Sequence, residues 1–209
     1  MSTKKTTLYY AHDPMCSWCF GFRPVWQEVT AWCQEKVNIE YLMGGLAPDS
    51  DDIMPQSMQS DIQSYWKKIE LSIPGTQFNF DFWKSNQPRR STYRSCRAVI
   101  CTRVQQPKKL TEMIRLIQNA YYQNAKNPSD REPLIECAKQ CGLDIERFSQ
   151  DLDAPYTKDL LRLEMLQCHQ LGLNSFPSLL LEKQGEFTSI ALDYNNAQNI
   201  IQQIKEQLN

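Results

Sequence analysis

The chain has no excess of basic residues: 23 Lys and Arg stand against 24 Asp and Glu, a formal net charge of −1. Without a positive surplus to engage phosphates, nucleic acid is not expected as the main partner. Long apolar runs are missing too. No stretch approaches the roughly 20 apolar residues that a membrane helix needs, so no membrane partner is expected. The opening "MSTKKTT" is polar, and the apolar run that follows it, Leu8–Ala11, is far too short for a signal-peptide core. The cytoplasm is therefore the expected location. Internal repeats and low-complexity segments are also absent, which excludes a solenoid.

Against these absences stand eight cysteines. In a reducing compartment thiols stay free unless they are catalytic or metal-bound, so most of the eight are expected to be packing residues. Cys96 and Cys101 lie five apart on a predicted helix, pointing roughly 140° apart at ~100° per residue. Cys137 and Cys141 share a helix face, where a disulfide fits badly. These four, with Cys33 and Cys168, read as small hydrophobes. The exception is "AHDPMCSWCFGFRP", residues 11–24, in which Cys16 and Cys19 are three apart.

The surroundings of that pair are legible. Residues 6–11, "TTLYYA", form a β-prone run that ends at the turn signal "HDP". From about Cys16 to Lys36 the apolar positions Val25, Val29, Trp32 and Cys33 recur at helical spacing, and "VNIEYLMGG" at 37–45 reads as a second strand. Strand, helix, strand in so short a span predicts a βαβ unit with parallel strands. From about 55 to 171 the chain reads as helices, near 55–70, 91–105, 108–125, 131–141 and 156–171. "NAKNPSDREP" and "GLDIERF" are read as breaks between them. Then "SLLLEK" at 178–183 and "FTSIALD" at 187–193 flank the turn "QGE", and a last helix carries Ala197, Ile200, Ile201, Ile204 and Leu208 on one face.

The expected fold is therefore α/β: a four-stranded mixed sheet built from βαβ and ββα halves, with a large all-helical insertion between them. Residues 1–52 and 172–209 form the sheet domain, and residues 53–171 the insertion.

A Cys16 at the start of the first helix faces unpaired backbone N–H groups, which together with the helix dipole stabilise a thiolate. A thiol one turn on, Cys19, is placed to attack a mixed disulfide and release the product. This chemistry wants an exposed first sulfur and a shielded second one, for which Trp18 and Phe20 offer apolar cover. Cys16 is assigned as nucleophile and Cys19 as resolving thiol. A zinc site needs further ligands from Cys137 and Cys141, Cys96 and Cys101, or His12 and His169, none of which repeats C-x-x-C, so no metal is expected. His12 precedes Cys16 by four residues. Protonated it would stabilise a thiolate, neutral it would relay a proton, and otherwise it is a partly buried histidine bonded to loop backbone. His169 suits a helix C-terminus, where the dipole favours it.

"PMCSWC" after a strand, a helix beyond it and "NSFP" before a late strand resemble the DsbA-like branch of the thioredoxin superfamily, over the whole chain. "HDPMCSWCFGF" looks most like the cytosolic FrnE-like proteins. The resemblance implies a thiol–disulfide oxidoreductase or isomerase acting on protein or small-molecule thiols and disulfides. It carries over a cis-proline role to Pro177, with Phe176 before it offering its backbone to a bound peptide or glutathione. Pro24 matches the proline that kinks the active-site helix. The Ser-Trp dipeptide between the cysteines, without the histidine of the periplasmic enzyme, implies a less oxidising pair. In glutathione-using relatives the loop at Asp193 and Tyr194 meets the γ-glutamyl end of the tripeptide, although a plain N-cap role suits Asp193 better. No bound cofactor is implied, and glutathione would enter as a co-substrate. Two other readings stand beside this one. One is a glutathione-dependent transferase or isomerase of the kappa or 2-hydroxychromene-2-carboxylate isomerase type, which has serine where Cys16 stands. The other is a peptide-binding module with a vestigial dithiol. A second C-x4-C pair occurs in some FrnE-like relatives, but Cys96 and Cys101 lie in the wrong part of the chain to take that role.

Overall fold

A computed structural model describes residues 6–208. Strand β1 (Thr7–His12) leads into α1 (Ser17–Cys33), which returns to β2 (Asn38–Met43). The sheet is completed 135 residues further on by β3 (Ser178–Lys183) and β4 (Glu186–Ile190), and α9 (Ala197–Leu208) follows. Strand order is β2-β1-β3-β4. β1 runs parallel to β2 with Tyr10 opposite Tyr41, and antiparallel to β3 with Tyr10 opposite Leu179. The mixed sheet expected from the sequence is present among the described residues. Its β3–β4 hairpin turns on Gln184 and Gly185, both at positive φ (56° and 91°), as a two-residue turn that follows the strand twist requires.

Every residue of β1 is buried, because the strand is covered on both faces. Leu8 and Tyr10 face α1 and α9, joining Phe22, Val25, Val29, Leu179, Leu181, Ile200 and Ile204 in one core. Tyr9 and Ala11 face the other way, onto Leu42, Leu180, Cys168 and Leu173. The alternation is the ordinary period of two along a strand, here apolar on both sides as parallel pairing demands. Tyr9 reconciles burial with its hydroxyl by donating to Glu182 at 2.9 Å, and burial with that carboxylate pushes its pKa up to about 12.

Between β2 and β3 the chain is helical: α2 (Gln56–Ser72), α3 (Phe82–Ser85), α4 (Tyr93–Gln105), α5 (Leu110–Tyr122), α6 (Arg131–Cys141), α7 (Ile145–Asp151) and α8 (Pro155–Gln170). The core of these helices includes Val99, Ile100, Met113, Ile117, Leu134 and Phe148. Three elements depart from the expectation, the short α3 among them, since no helix was expected there. "GLDIERF" holds a helix start: Gly142 ends α6 in the left-handed conformation (φ 72°), and Asp144 caps α7 by accepting from the Arg147 N–H at 3.0 Å. The break is three residues wide, since a glycine stop and an aspartate start can abut. The last strand ends at Ile190 rather than residue 193, where Gln203 of α9 takes over both backbone groups of Ala191.

The eight cysteines are buried and unpaired with one another. Cys33, Cys101, Cys137, Cys141 and Cys168 line cores, and burial raises each thiol. Leu8, fully buried at the centre of the sheet, sets the scale of this packing. Leu8→Ala is expected to cost about 2–5 kcal/mol, read as a lower urea midpoint at unchanged m-value.

Candidate active site

Cys16 is the N-cap of α1, with β-region backbone (φ −84°, ψ 118°), and its sulfur accepts the N–H of Cys19 at 3.4 Å. One of the orphan donors of the helix start is thus aimed at Sγ. The thiol itself donates to the backbone carbonyl of Phe176 at 3.3 Å. The two halves of the site expected from the sequence, 160 residues apart, are in contact. The Phe176–Pro177 peptide bond is cis. Pro24 lies inside α1 and leaves the carbonyl of Phe20 without its usual helical donor.

The expectation of an exposed first sulfur is corrected. Cys16 is 6% exposed, because the Phe176 backbone lies across it. It opens instead into a cavity of about 570 Å³ lined by Trp18, Tyr65, Trp66, Arg90, Tyr122 and Phe176 among others, so helices α2 and α5 close over it. Cys19 is fully buried, and burial followed by its hydrogen bond with Cys16 pushes its thiol well up. Phe20 stacks on Tyr122 at 4.7 Å in an aromatic cluster with Phe78 and Trp66. Trp18 packs edge-on against Tyr194 at 5.2 Å, and Tyr194 in turn against Phe22.

His12 answers neither to the protonated role nor to the loop-bonded one. It is fully buried, stacked flat on Tyr10 at 4.8 Å and edge-on to Tyr41, and neither ring nitrogen has a partner among the described residues. Burial, helped by the charge of Arg103, lowers its pKa to about 3. It is neutral across the physiological range, so a cationic partner for a Cys16 thiolate is not available from it. Asp193 braces the loop before α9, whose N-cap is instead Asn196, accepting the Gln198 N–H at 3.0 Å. Asp193 Oδ1 accepts from Asn195 and Asn196 N–H at 2.8 and 2.9 Å and its Oδ2 from Asn199 at 2.6 Å, which holds its carboxyl below the usual range. His169 lies in the last turn of α8 and contacts Asn174.

Two residues that shape the site were not picked out from the sequence. Asp13, read only as part of a turn, is fully buried and gathers four donors: Met15 N–H (2.7 Å), Leu46 N–H (2.8 Å), the Thr92 hydroxyl (2.6 Å) and the Cys96 thiol (3.4 Å). Its backbone carbonyl also accepts the Cys16 N–H at 3.0 Å. Burial raises its carboxyl against the opposing pull of those donors. Gly44 is the second. A Cβ built there would lie 2.0 Å from the Phe176 ring, so only glycine lets that ring sit where it does. "HDP" carried a turn signal and Gly44 closed the second strand, but nothing in their spacing shows that they meet the dithiol loop and Phe176.

Among the described residues no group of three His, Cys, Asp or Glu is arranged to hold a metal ion, and no helix is long and apolar enough to cross a membrane.

A dithiol at the start of the helix after a central β1, facing an X-Pro bond before β3, in a β2-β1-β3-β4 sheet, defines the thioredoxin fold. The helical segment between β2 and β3 makes it the DsbA-like form. The chain belongs to the thioredoxin family, whose model, described as Thioredoxin, matches residues 9–202. A Nitrosomonas europaea structure provisionally assigned as a protein disulfide isomerase is similar over 98% of both chains, with TM-score 0.86 and 23% identity. The cytosolic disulfide reductase DsbM from Pseudomonas aeruginosa is similar over 97% of this chain and 98% of its own, with TM-score 0.78 and 21% identity, and it has also been solved with GSH. Among curated proteins, the ClpXP adapter protein SpxH of Halalkalibacterium halodurans is 23% identical over 85% of this chain, and that of Bacillus subtilis 24% identical over 84%. The chain spans 58% of the length of each of these two relatives.

Two measurements test this geometry. Gly44→Ala is expected to displace Phe176 and reduce the reactivity of Cys16 toward a disulfide probe, and Phe176→Ala in the same chain to restore part of it. Additive losses in the double variant would contradict the contact. His12 titrates near 3 when folded and near 6.5 when unfolded, so the unfolded chain binds more protons between those values. Its contribution to stability is therefore full above pH 6.5 and is lost as pH falls toward 3, by up to roughly 1.4 kcal/mol per pH unit. His12→Phe should flatten the fall in urea midpoint between pH 7 and 4.

Proposed function

We propose that the chain is a cytoplasmic thiol–disulfide oxidoreductase, working through Cys16 and Cys19. The observation that carries this reading is the placement of Cys16 Sγ, at a helix N-cap, within hydrogen-bond distance of both the Cys19 N–H and the Phe176 carbonyl. Once Cys16 gives up its proton, the N–H groups of the first helical turn stabilise the sulfur charge. The thiolate attacks one sulfur of a substrate disulfide. A Cys16–substrate bond forms, and the other substrate sulfur leaves as a thiolate. Cys19, once deprotonated, attacks Cys16 Sγ, so the Cys16–Cys19 disulfide forms and the second substrate sulfur departs. Two electrons pass to the substrate, and the reverse sequence oxidises a dithiol.

Pro177 has no N–H, and the segment before it offers backbone polar groups beside the dithiol. An extended peptide or glutathione is proposed to pair there, over Trp18 and Phe176. Glutathione is proposed as a co-substrate, a reading supported by the GSH-bound form of DsbM. The cavity beside Cys16 has room for a peptide side chain or a tripeptide. Asp193 spends both oxygens on its own turn, which favours Tyr194 and Trp18 as the contacts made by that loop.

A second reading, a protein-binding adapter in which the dithiol is vestigial, is favoured by the names of the SpxH relatives. One set of variants separates the two. Wild type should reduce insulin with a glutathione-coupled turnover, Cys16→Ser should lose at least about 100-fold, and Cys19→Ser should accumulate a mixed disulfide. Absence of activity and of trapped adducts, with partner binding unaffected by alkylation of Cys16, would establish the adapter reading instead.

A further inference from the structure

The dithiol divides between two cavities that share no lining residue: Cys16 lines the one described above, and Cys19 lines another. This second cavity, of about 500 Å³, lies between α1 and α5 over β1 and β2. Its volume is in the range that small-molecule sites occupy. Three aromatic residues stand together on its sheet side. Tyr10, Trp26 and Tyr41 pack together there, with Tyr10 and Trp26 centroids 4.3 Å apart and the Trp26 indole N–H donating to the Tyr41 hydroxyl at 3.1 Å. Neutral hydrogen-bonding side chains, Gln27, Thr30 and Thr111, line the walls.

The charged lining is lopsided. Arg23 and Arg115 both face the cavity, near enough that Arg115 adds to burial in lowering Arg23. Arg23 donates to Asn119 Oδ1 at 2.7 Å, a neutral acceptor, and its guanidinium lies over the Phe20 ring at 4.9 Å. Arg115 is exposed and makes no hydrogen bond or ion pair among the described residues. The one carboxylate in the lining, Glu112, is committed to Lys109 Nζ at 2.7 Å. Glu112 is hydrogen-bonded to Lys109 and meets Arg115 only through its field, so the two guanidiniums beside the aromatic wall still repel each other, and an entering anion would relieve that.

We propose that this cavity binds a small planar aromatic carboxylate, with its ring against Tyr10, Trp26 and Tyr41 and its carboxylate toward Arg23 and Arg115. Such a ligand sits against the wall that Cys19 helps to form, away from the cavity that serves Cys16. The site does not depend on redox chemistry at the dithiol.

The test uses the full chain labelled with ¹⁵N and two probes of the same shape, 1-naphthoate and the uncharged 1-naphthamide. Naphthoate should shift the amides of Thr30, Gln34, Thr111 and Arg115, and naphthamide should bind roughly tenfold more weakly. Arg115→Gln, at an exposed position, should weaken naphthoate by about fivefold to tenfold and leave naphthamide unchanged. Thr30→Trp, which fills the cavity, should abolish binding of both. Shifts confined to Trp18, Tyr65 and Phe176, equal binding of acid and amide, or no shift at millimolar probe would each overturn the proposal.

Discussion

The carboxylate of Asp13 is where three separate parts of the chain are fastened to one another. It takes donors from the loop that carries Cys16, from Leu46 beyond β2, and from Thr92 and Cys96 at the start of α4. A buried carboxylate is costly unless its lone pairs are filled, and here four donors fill them. The same residue uses its backbone oxygen to hold the Cys16 N–H. The approach of the dithiol loop to α1 is thus set both by the turn's own bonds and by the contact between the sheet and the inserted helices. Cys96, expected only to pack, serves as one of the four donors.

Around that point the inserted helices grip the sheet at β2. Arg103 of α4 donates to the Tyr41 carbonyl at 3.2 Å and pairs with Glu164 of α8, whose other oxygen accepts the Met43 N–H at 2.8 Å. The outer edge of β2 is therefore capped by side chains from two helices, which satisfies backbone groups that an edge strand otherwise leaves open. On the far side, Arg97 lies buried between Asp49 and Asp153 and donates to the Leu152 carbonyl. Buried charges of this kind persist because each has several partners at once. They fix where α4 stands relative to the dithiol loop, and with it the position of Thr92.

Much of the architecture was legible because it rests on short-range patterns. The alternation in β1, the stripe on α9 and the paired cysteines after a turn signal each depend on residues within a few positions of one another. The meeting of Cys16 with Phe176 was legible through resemblance, and the contact at 3.3 Å is where geometry agrees with it. What escaped the sequence is of a different kind. The state of His12 is decided by Tyr10, Tyr41 and Arg103, which remove it from water without offering a hydrogen bond. The cover over Cys16 comes from α2 and α5, and the need for glycine at 44 comes from an aromatic ring more than 130 residues away. Such facts belong to tertiary contacts and leave no periodicity behind.

The placing of β3 beside β1, after the whole helical segment has intervened, bears on how the chain comes into being. As the polypeptide is made from its N-terminus, β1 and β2 emerge together, yet one side of β1 has no partner until residues 178–183 appear. At ordinary rates of synthesis that interval is on the order of ten seconds. The helices between, rich in local contacts, can condense within it, whereas the sheet must wait for its missing neighbour. For that time the most buried strand of the finished protein is an open, apolar edge, and a nascent chain in this condition is a natural client for the chaperones that meet it at the ribosome.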